Sequence, residues 1–328
     1  MDHHPPAGGP VFVVGCPRSG TTLLTLMLSS HSRLSIPPET RFLLPVFRRV
    51  GSFRDLRQTP NRLRLARAVV RPRGTKFGHL RLDPERVKKE IVAGRPTVGA
   101  ALSAPFRLYA DERGKARWGD KRPTYFRNID LIRALFPDAQ VVHLVRDPRD
   151  CVASLRRMRW WRQGSIGALA TWAHAVDCAR RAERRLPAGS YLELRYEDLV
   201  AEPRRELERL CRFLGEDFEE AMLAPQSEAE RLPARQREDW HGETRAAVGP
   251  QRVGRYAKEL APDEVALVEA VAGSRMRRLG YAVPDRAWVS PKAPLRFAGT
   301  LASMRLRTRV LAARDSALVR RHGPVSYR

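Results

Sequence analysis

Apolar residues run unbroken through Val11-Phe12-Val13-Val14, and again through Val141-Val142 and Leu144-Val145 with one histidine between them. Short runs this rich in β-branching suit strands buried on both faces of a parallel sheet. Each run gives way to a turn and then to apolar positions at helical spacing. The first helix is expected over Thr21 to Ser30, and a second leads from Asp147-Pro148-Arg149-Asp150 to about Arg157. A further strand is expected over Tyr191 to Asp198, and a short strand-and-turn over Arg117 to Pro123 leads into a helix ending near Leu135. Helices are expected at Ser165 to Leu186, with Trp172 and Ala173 on its apolar side, at Glu202 to Leu214, opened by Pro203 and closed by Gly215, and at Pro262 to Ala272. Strands alternating with helices predict an α/β fold, a parallel sheet with right-handed crossovers and helices on its faces.

Three segments depart from that alternation. Residues 1–10 form a polar, Pro/Gly-rich lead. Residues 46–115 read as a helical insertion, with periodic segments at Asn61 to Arg71 and Pro84 to Ala93 and an Asp83-Pro84 cap. An insertion there shapes an acceptor pocket or a lid. Residues 225–250 are polar and broken by proline and glycine, as a flexible loop would be. The extension over 290–328 carries nine lysines and arginines against one acid, Asp315, with Phe297, Leu301, Met304, Leu311 and Leu318 on roughly one helical face. Packing on the domain, disorder, and contact with a membrane surface or a partner helix are the readings open to it.

The formal charge of +25 changes the picture, because it produces a field that draws in anionic ligands. Only seven of the 61 basic residues are lysines. The basic residues are spread along the chain and accompany no zinc finger or aromatic-plus-basic RNA motif, so no nucleic-acid partner is expected. No run approaches the roughly 18 apolar residues of a membrane span, and the lead lacks the features of a signal peptide. A cytoplasmic protein is the expectation. Cys16, Cys151, Cys178 and Cys211 are widely spaced, which indicates neither a zinc site nor a disulfide framework.

Candidate chemistry starts at the first strand. Gly15-Cys16-Pro17-Arg18-Ser19-Gly20 has the glycine spacing of a phosphate-binding loop between a strand and a helix, where N–H groups and the helix dipole favour an anion. Thr21-Thr22 stands where a nucleotide triphosphatase has Lys-[Ser/Thr], and Arg18 is the only charge in the loop. The loop is therefore expected to grip phosphate without hydrolysing nucleoside triphosphates. Arg146 ends the second apolar strand, on the same edge of the sheet. Glu39 follows Pro37-Pro38 on a loop beyond the first helix, between apolar residues and close to Arg41; it is either a cap or surface charge, or a positioned carboxylate. Lys121 stands at a strand end between Gly119 and Pro123, and His143 reads as a satisfied core histidine.

Four segments recur together: Cys16 to Leu24, Pro38-Glu39-Thr40-Arg41, Gly119-Asp120-Lys121-Arg122-Pro123, and Val145 to Asp150 with Ser154. In combination they resemble the sulfotransferases that use 3′-phosphoadenosine-5′-phosphosulfate (PAPS), most closely the bacterial members and the tyrosylprotein sulfotransferases. The likeness covers about residues 11–200, with weaker support to about 260. It implies a P-loop-like α/β domain, taken here as 11–289; with two cations, Arg18 and Lys121, and no aspartate cluster, no metal is expected. Pro17, Arg18, Ser19, Gly20, Thr21 and Thr22 would bind the 5′-phosphosulfate, and Arg146 with Ser154 the 3′-phosphate. Tyr196 would contact adenine or phosphate, and Arg252 and Arg255 would close on the 3′-phosphate. Glu39 is similar in position to the catalytic base of the tyrosylprotein enzymes, in the same Glu-Thr-Arg context, and Lys121 to their conserved lysine, while Arg18 would stabilise charge on the sulfuryl group and Arg41 would favour an acidic acceptor. Smaller cytosolic members use a histidine base, which this chain lacks at that place. The expected reaction is sulfuryl transfer to a hydroxyl of a metabolite or carbohydrate, leaving 3′-phosphoadenosine-5′-phosphate. A peptide tyrosine, a P-loop kinase acting on a small molecule, and a non-enzymatic polyanion-binding protein are the alternatives.

Overall fold

The computed structural model describes residues 8–71, 73–230, 249–284, 289–323 and 325–327. Most of the expected lead and the 231–248 part of the expected loop lie outside them. Five parallel strands, β1 (Val11–Gly15), β2 (Leu34–Ser35), β3 (Arg117–Lys121), β4 (Gln140–Val145) and β5 (Tyr191–Arg195), form one sheet in the order β2-β3-β1-β4-β5. All five residues of β1 are buried, as its central position requires. Its register sets Val13 beside Lys121 of β3 and Gly15 beside Leu144 of β4, so the carboxyl ends of the three strands open on one edge. The sheet is thus the α/β arrangement that the alternation of strands and helices predicted.

One face of the sheet is covered by helices Thr21–Ser30 and Pro203–Leu214, which pack Leu24, Met27, Leu28, Leu207 and Leu210 against Val11, Val13, Val142 and Leu144. The other carries a larger core in which Phe12, Trp118, Tyr125 and Phe136 meet ring to ring. That core includes helix Leu43–Phe47 and the 46–115 segment, where helices Thr59–Val69, Pro84–Ala93 and Val98–Asp111 turn apolar residues inward. Asp83 caps Pro84–Ala93 by accepting from the N–H groups of Glu85 and Arg86.

Several boundaries differ from the sequence reading. The strand from Tyr191 ends at Arg195, and Tyr196 opens helix Tyr196–Ala201, whose first turn carries Glu197 and Asp198. Acids at a helix start favour that ending over a longer strand. Helix Pro262–Arg278 runs past Ala272. Residues 292–322 form one 31-residue helix packed on helix Gly164–Arg185. Phe297 and Leu301 are buried there and Met304 and Leu318 half-buried, while Leu311 is about 38% exposed. Asp315 accepts two hydrogen bonds from the Arg48 guanidinium, at 2.9 and 2.8 Å. Beyond the helix, Val325 O accepts from Gly99 N and Tyr327 N donates to Leu135 O. The basic extension is therefore docked on the domain, and an isolated tail is not what the chain forms.

Candidate active site

At the mouth of β1 the backbone must turn sharply and still direct its N–H groups outward. Ser19 N donates to Cys16 O at 3.1 Å, and Arg18 and Gly20 both take positive φ, 74° and 96°. Gly20 has no alternative, because a Cβ there would lie 2.4 Å from the ring of Tyr196. Helix Thr21–Ser30 begins immediately after, so its amide dipoles point into a cleft of about 560 Å³. Pro17, Arg18, Gly20, Thr21 and Thr22 line this cleft, together with Arg146, Ser154, Tyr196, Arg252 and Arg255. Ser19 does not; it is wholly buried, against Gly15 on the inner side of the loop.

The loop and the end of β4 form one wall. Arg18 Nε donates to Ser154 Oγ at 3.0 Å, and Arg146 Nη1 reaches Arg18 O at 3.4 Å. The Arg146 guanidinium stacks over the Tyr196 ring at 4.4 Å. Its Nη2 donates to Asp150 Oδ2 at 3.2 Å and to Arg252 O at 2.5 Å, and Trp172 Nε1 donates to the Arg146 carbonyl at 2.8 Å. Asp150 also accepts from Gly254 N and Tyr256 N, both at 3.0 Å, and so ties the 252–256 segment to the same guanidinium. Burial pushes the Tyr196 hydroxyl above its usual range, with the Arg146 charge opposing.

Glu39 lines the same cleft. Lys121 Nζ stands 3.9 Å from Glu39 Oε2, and Arg41 Nε 3.5 Å from Glu39 Oε1. Lys121 is almost fully buried at the end of β3, and burial lowers its pKa while the Glu39 carboxylate acts the other way. Next to it, Asp120 faces the core and not the cleft. Burial lifts its carboxyl to about 7, although Tyr125 Oη donates to it at 2.8 Å. His143 is buried inside β4 with Nδ1 2.9 Å from Glu193, away from the cleft, as its strand position implies.

Sequence reasoning missed part of the lining. Lys76 and His79 come from the 46–115 segment, and His79 Nδ1 lies 3.2 Å from the Glu39 carbonyl. Arg122, Arg157 and Trp160 complete the rim. Asp150, the hub of the Arg146 network, was visible in Asp147-Pro148-Arg149-Asp150, where its four-residue spacing from Arg146 places both on one side of a helix start. Among the described residues no group of three His, Cys, Asp or Glu side chains is arranged to hold a metal ion. No described helix is long and apolar enough to cross a membrane.

The comparisons with known proteins agree with this geometry. A family model described as the sulfotransferase family matches residues 10–220. The nodulation protein NoeE of Sinorhizobium fredii is 28% identical over 295 residues, covering 82% of this chain but only 65% of that protein, less than two thirds of its length. Protein-tyrosine sulfotransferase 1 of Danio rerio is 24% identical over 285 residues, covering 83% of this chain and 72% of that protein. Among solved structures, the sulfotransferase domain of the Synechococcus PCC 7002 olefin synthase superposes with a TM-score of 0.55 at 26% identity, covering 86% of this chain and 98% of that one. The matched residues contain the glycine loop, Glu39, Lys121, Arg146 and Tyr196, and the chain belongs to the sulfotransferase family.

Proposed function

We propose that the cleft binds PAPS and transfers its sulfuryl group to a hydroxyl of a metabolite or carbohydrate acceptor. The observation that carries this reading is the junction of the two anion-binding elements. Arg18 bonds Ser154 while Arg146 bonds the carbonyl of Arg18, so one nucleotide with phosphates at both ends meets a continuous cationic wall. The buried Nε of Arg146 has no hydrogen-bond partner among the described residues, a donor that a phosphate oxygen would satisfy. The nucleotide supplies the activated sulfuryl group, with the 5′ end on Arg18 to Thr22 and the 3′-phosphate on Arg146 and Ser154.

The remaining work falls to charge and position, as in phosphoryl transfer. Glu39 accepts the proton of the acceptor hydroxyl as its oxygen bonds to sulfur and the sulfur–oxygen bond to the 5′-phosphate breaks. Lys121, held by β3 and close to Glu39, offsets the negative charge that develops on the bridging oxygen.

A peptide tyrosine is a second reading, favoured by Arg41, Lys76 and Arg122 around Glu39, a rim suited to an acidic acceptor. A small-molecule kinase fits less well, because Thr21 stands where a lysine would reach a γ-phosphate. A screen of alcohols, sugars, phenols and tyrosyl peptides for sulfate transfer from radiolabelled PAPS tests the assignment. Label in an acceptor supports it, and label transferred from ATP instead would refute it.

A further inference from the structure

Helix Lys292–His322 buries one face against the domain and leaves the opposite face open. At about 3.6 residues per turn, Leu295, Gly299, Ala302, Leu306, Val310 and Ala313 fall on a single stripe, and all six are exposed. Leu295, Leu306 and Val310 are 72%, 62% and 60% exposed, three of the six large apolar side chains exposed among the described residues. Single exposed leucines are ordinary, but a stripe along one long helix marks an interaction surface. Arg296, Arg307 and Arg314 line one margin of the stripe and Arg309 the other, all exposed. The only acid of the helix, Asp315, is buried on the far side and paired with Arg48.

We propose that this face binds the surface of an anionic membrane, with the leucines and valine in the headgroup boundary and the arginines on lipid phosphates. The charge pattern selects that occupant. A second copy of the chain, stripe against stripe, would set arginine rows against arginine rows with no acid between them. A soluble polyanion would take up the arginines and leave the leucines in water. An anionic bilayer accommodates both. The contact is interfacial, since no described helix can span a bilayer.

The test is flotation of the full chain with vesicles of pure phosphatidylcholine and with vesicles of equal parts phosphatidylcholine and phosphatidylglycerol, with sedimentation in the absence of lipid alongside. The chain is expected to float with the anionic vesicles and not with the neutral ones. The triple variant Leu295→Glu, Leu306→Glu, Val310→Glu should lower partitioning by about a hundredfold or more. Because all three sites are exposed, its circular dichroism and melting midpoint should match the parent. Equal flotation of parent and triple variant would overturn the proposal in favour of a purely ionic polyanion site. A dimer in sedimentation that the triple variant abolishes, with no flotation, would overturn it in favour of self-association.

Discussion

Asp150 accepts a hydrogen bond from Arg146 with the same oxygen that receives the Gly254 amide, so one carboxylate fixes both the guanidinium at the end of β4 and the segment that covers it. Arg146 is nearly buried at the site assigned to the 3′-phosphate, and its reach there depends on this tether. Asp150→Ala removes hydrogen bonds that involve charge, each worth about 1.5–3 kcal/mol. It is expected to weaken binding of 3′-phosphoadenosine-5′-phosphate by about ten- to a hundredfold, measured by calorimetric titration. Asp150 acts through Arg146, so binding of adenosine 5′-monophosphate should change by much less; equal losses for both nucleotides would make its role structural.

On the proposed reading, a change at Glu39 should separate binding from turnover. Glu39→Gln keeps the shape of the side chain and removes its ability to accept a proton. Turnover with PAPS and the acceptor found by screening should fall about 10²- to 10⁴-fold, while nucleotide affinity stays near that of the parent. Parallel loss of kcat and nucleotide affinity would instead assign Glu39 to the architecture of the cleft.

Gly20 tests the loop. A Cβ there needs a left-handed backbone and occupies the space of the Tyr196 ring. Gly20→Ala is expected to destabilise the protein by about 1–3 kcal/mol, seen as a lower midpoint in thermal unfolding, and to weaken nucleotide binding as Tyr196 is displaced. An unchanged midpoint with unchanged binding would show that the loop takes another conformation.

The buried carboxyl of Asp120 gives a pH dependence of known sign. Its pKa rises from 3.8 to about 7 on folding, so between those values the native state holds more protons than the unfolded one. Stability from this group is therefore present at low pH and declines as pH rises through about 7. Asp120→Asn retains an acceptor for the Tyr125 hydroxyl and removes the titration. Thermal midpoints measured from pH 5 to 8 should fall less steeply for the variant than for the parent, as about one fewer titrating carboxyl requires. Parallel profiles would contradict burial as the cause.

The legible parts of this chain were those where a local pattern and a local function coincide. Val11 to Thr22 shows strand, loop and helix within a dozen residues, and Arg146 announces itself by ending an apolar strand. β2 escaped because two residues, Leu34 and Ser35, are too few to show a period. Helix Val98–Asp111 escaped because Pro105 lies inside it, a residue that reads as a breaker and is tolerated here in a wholly buried stretch. Lys76 and His79 could not be assigned to the cleft that Glu39 lines because only the fold of the 46–115 segment brings them there. The second apolar stripe of helix Lys292–His322 was hidden by the first, since an arginine-rich helix with apolar residues on opposite faces shows no single amphipathic pattern.

Calorimetric titration of the full chain with 3′-phosphoadenosine-5′-phosphate, adenosine 5′-monophosphate and ATP bears most directly on the wall formed by Arg18, Ser154 and Arg146. The doubly phosphorylated adenosine is expected to bind about tenfold or more tightly than the monophosphate, and more tightly than ATP. ATP binding as tightly as 3′-phosphoadenosine-5′-phosphate, or more so, would contradict the assignment of Arg146 to a 3′-phosphate and the sulfuryl transfer built on it.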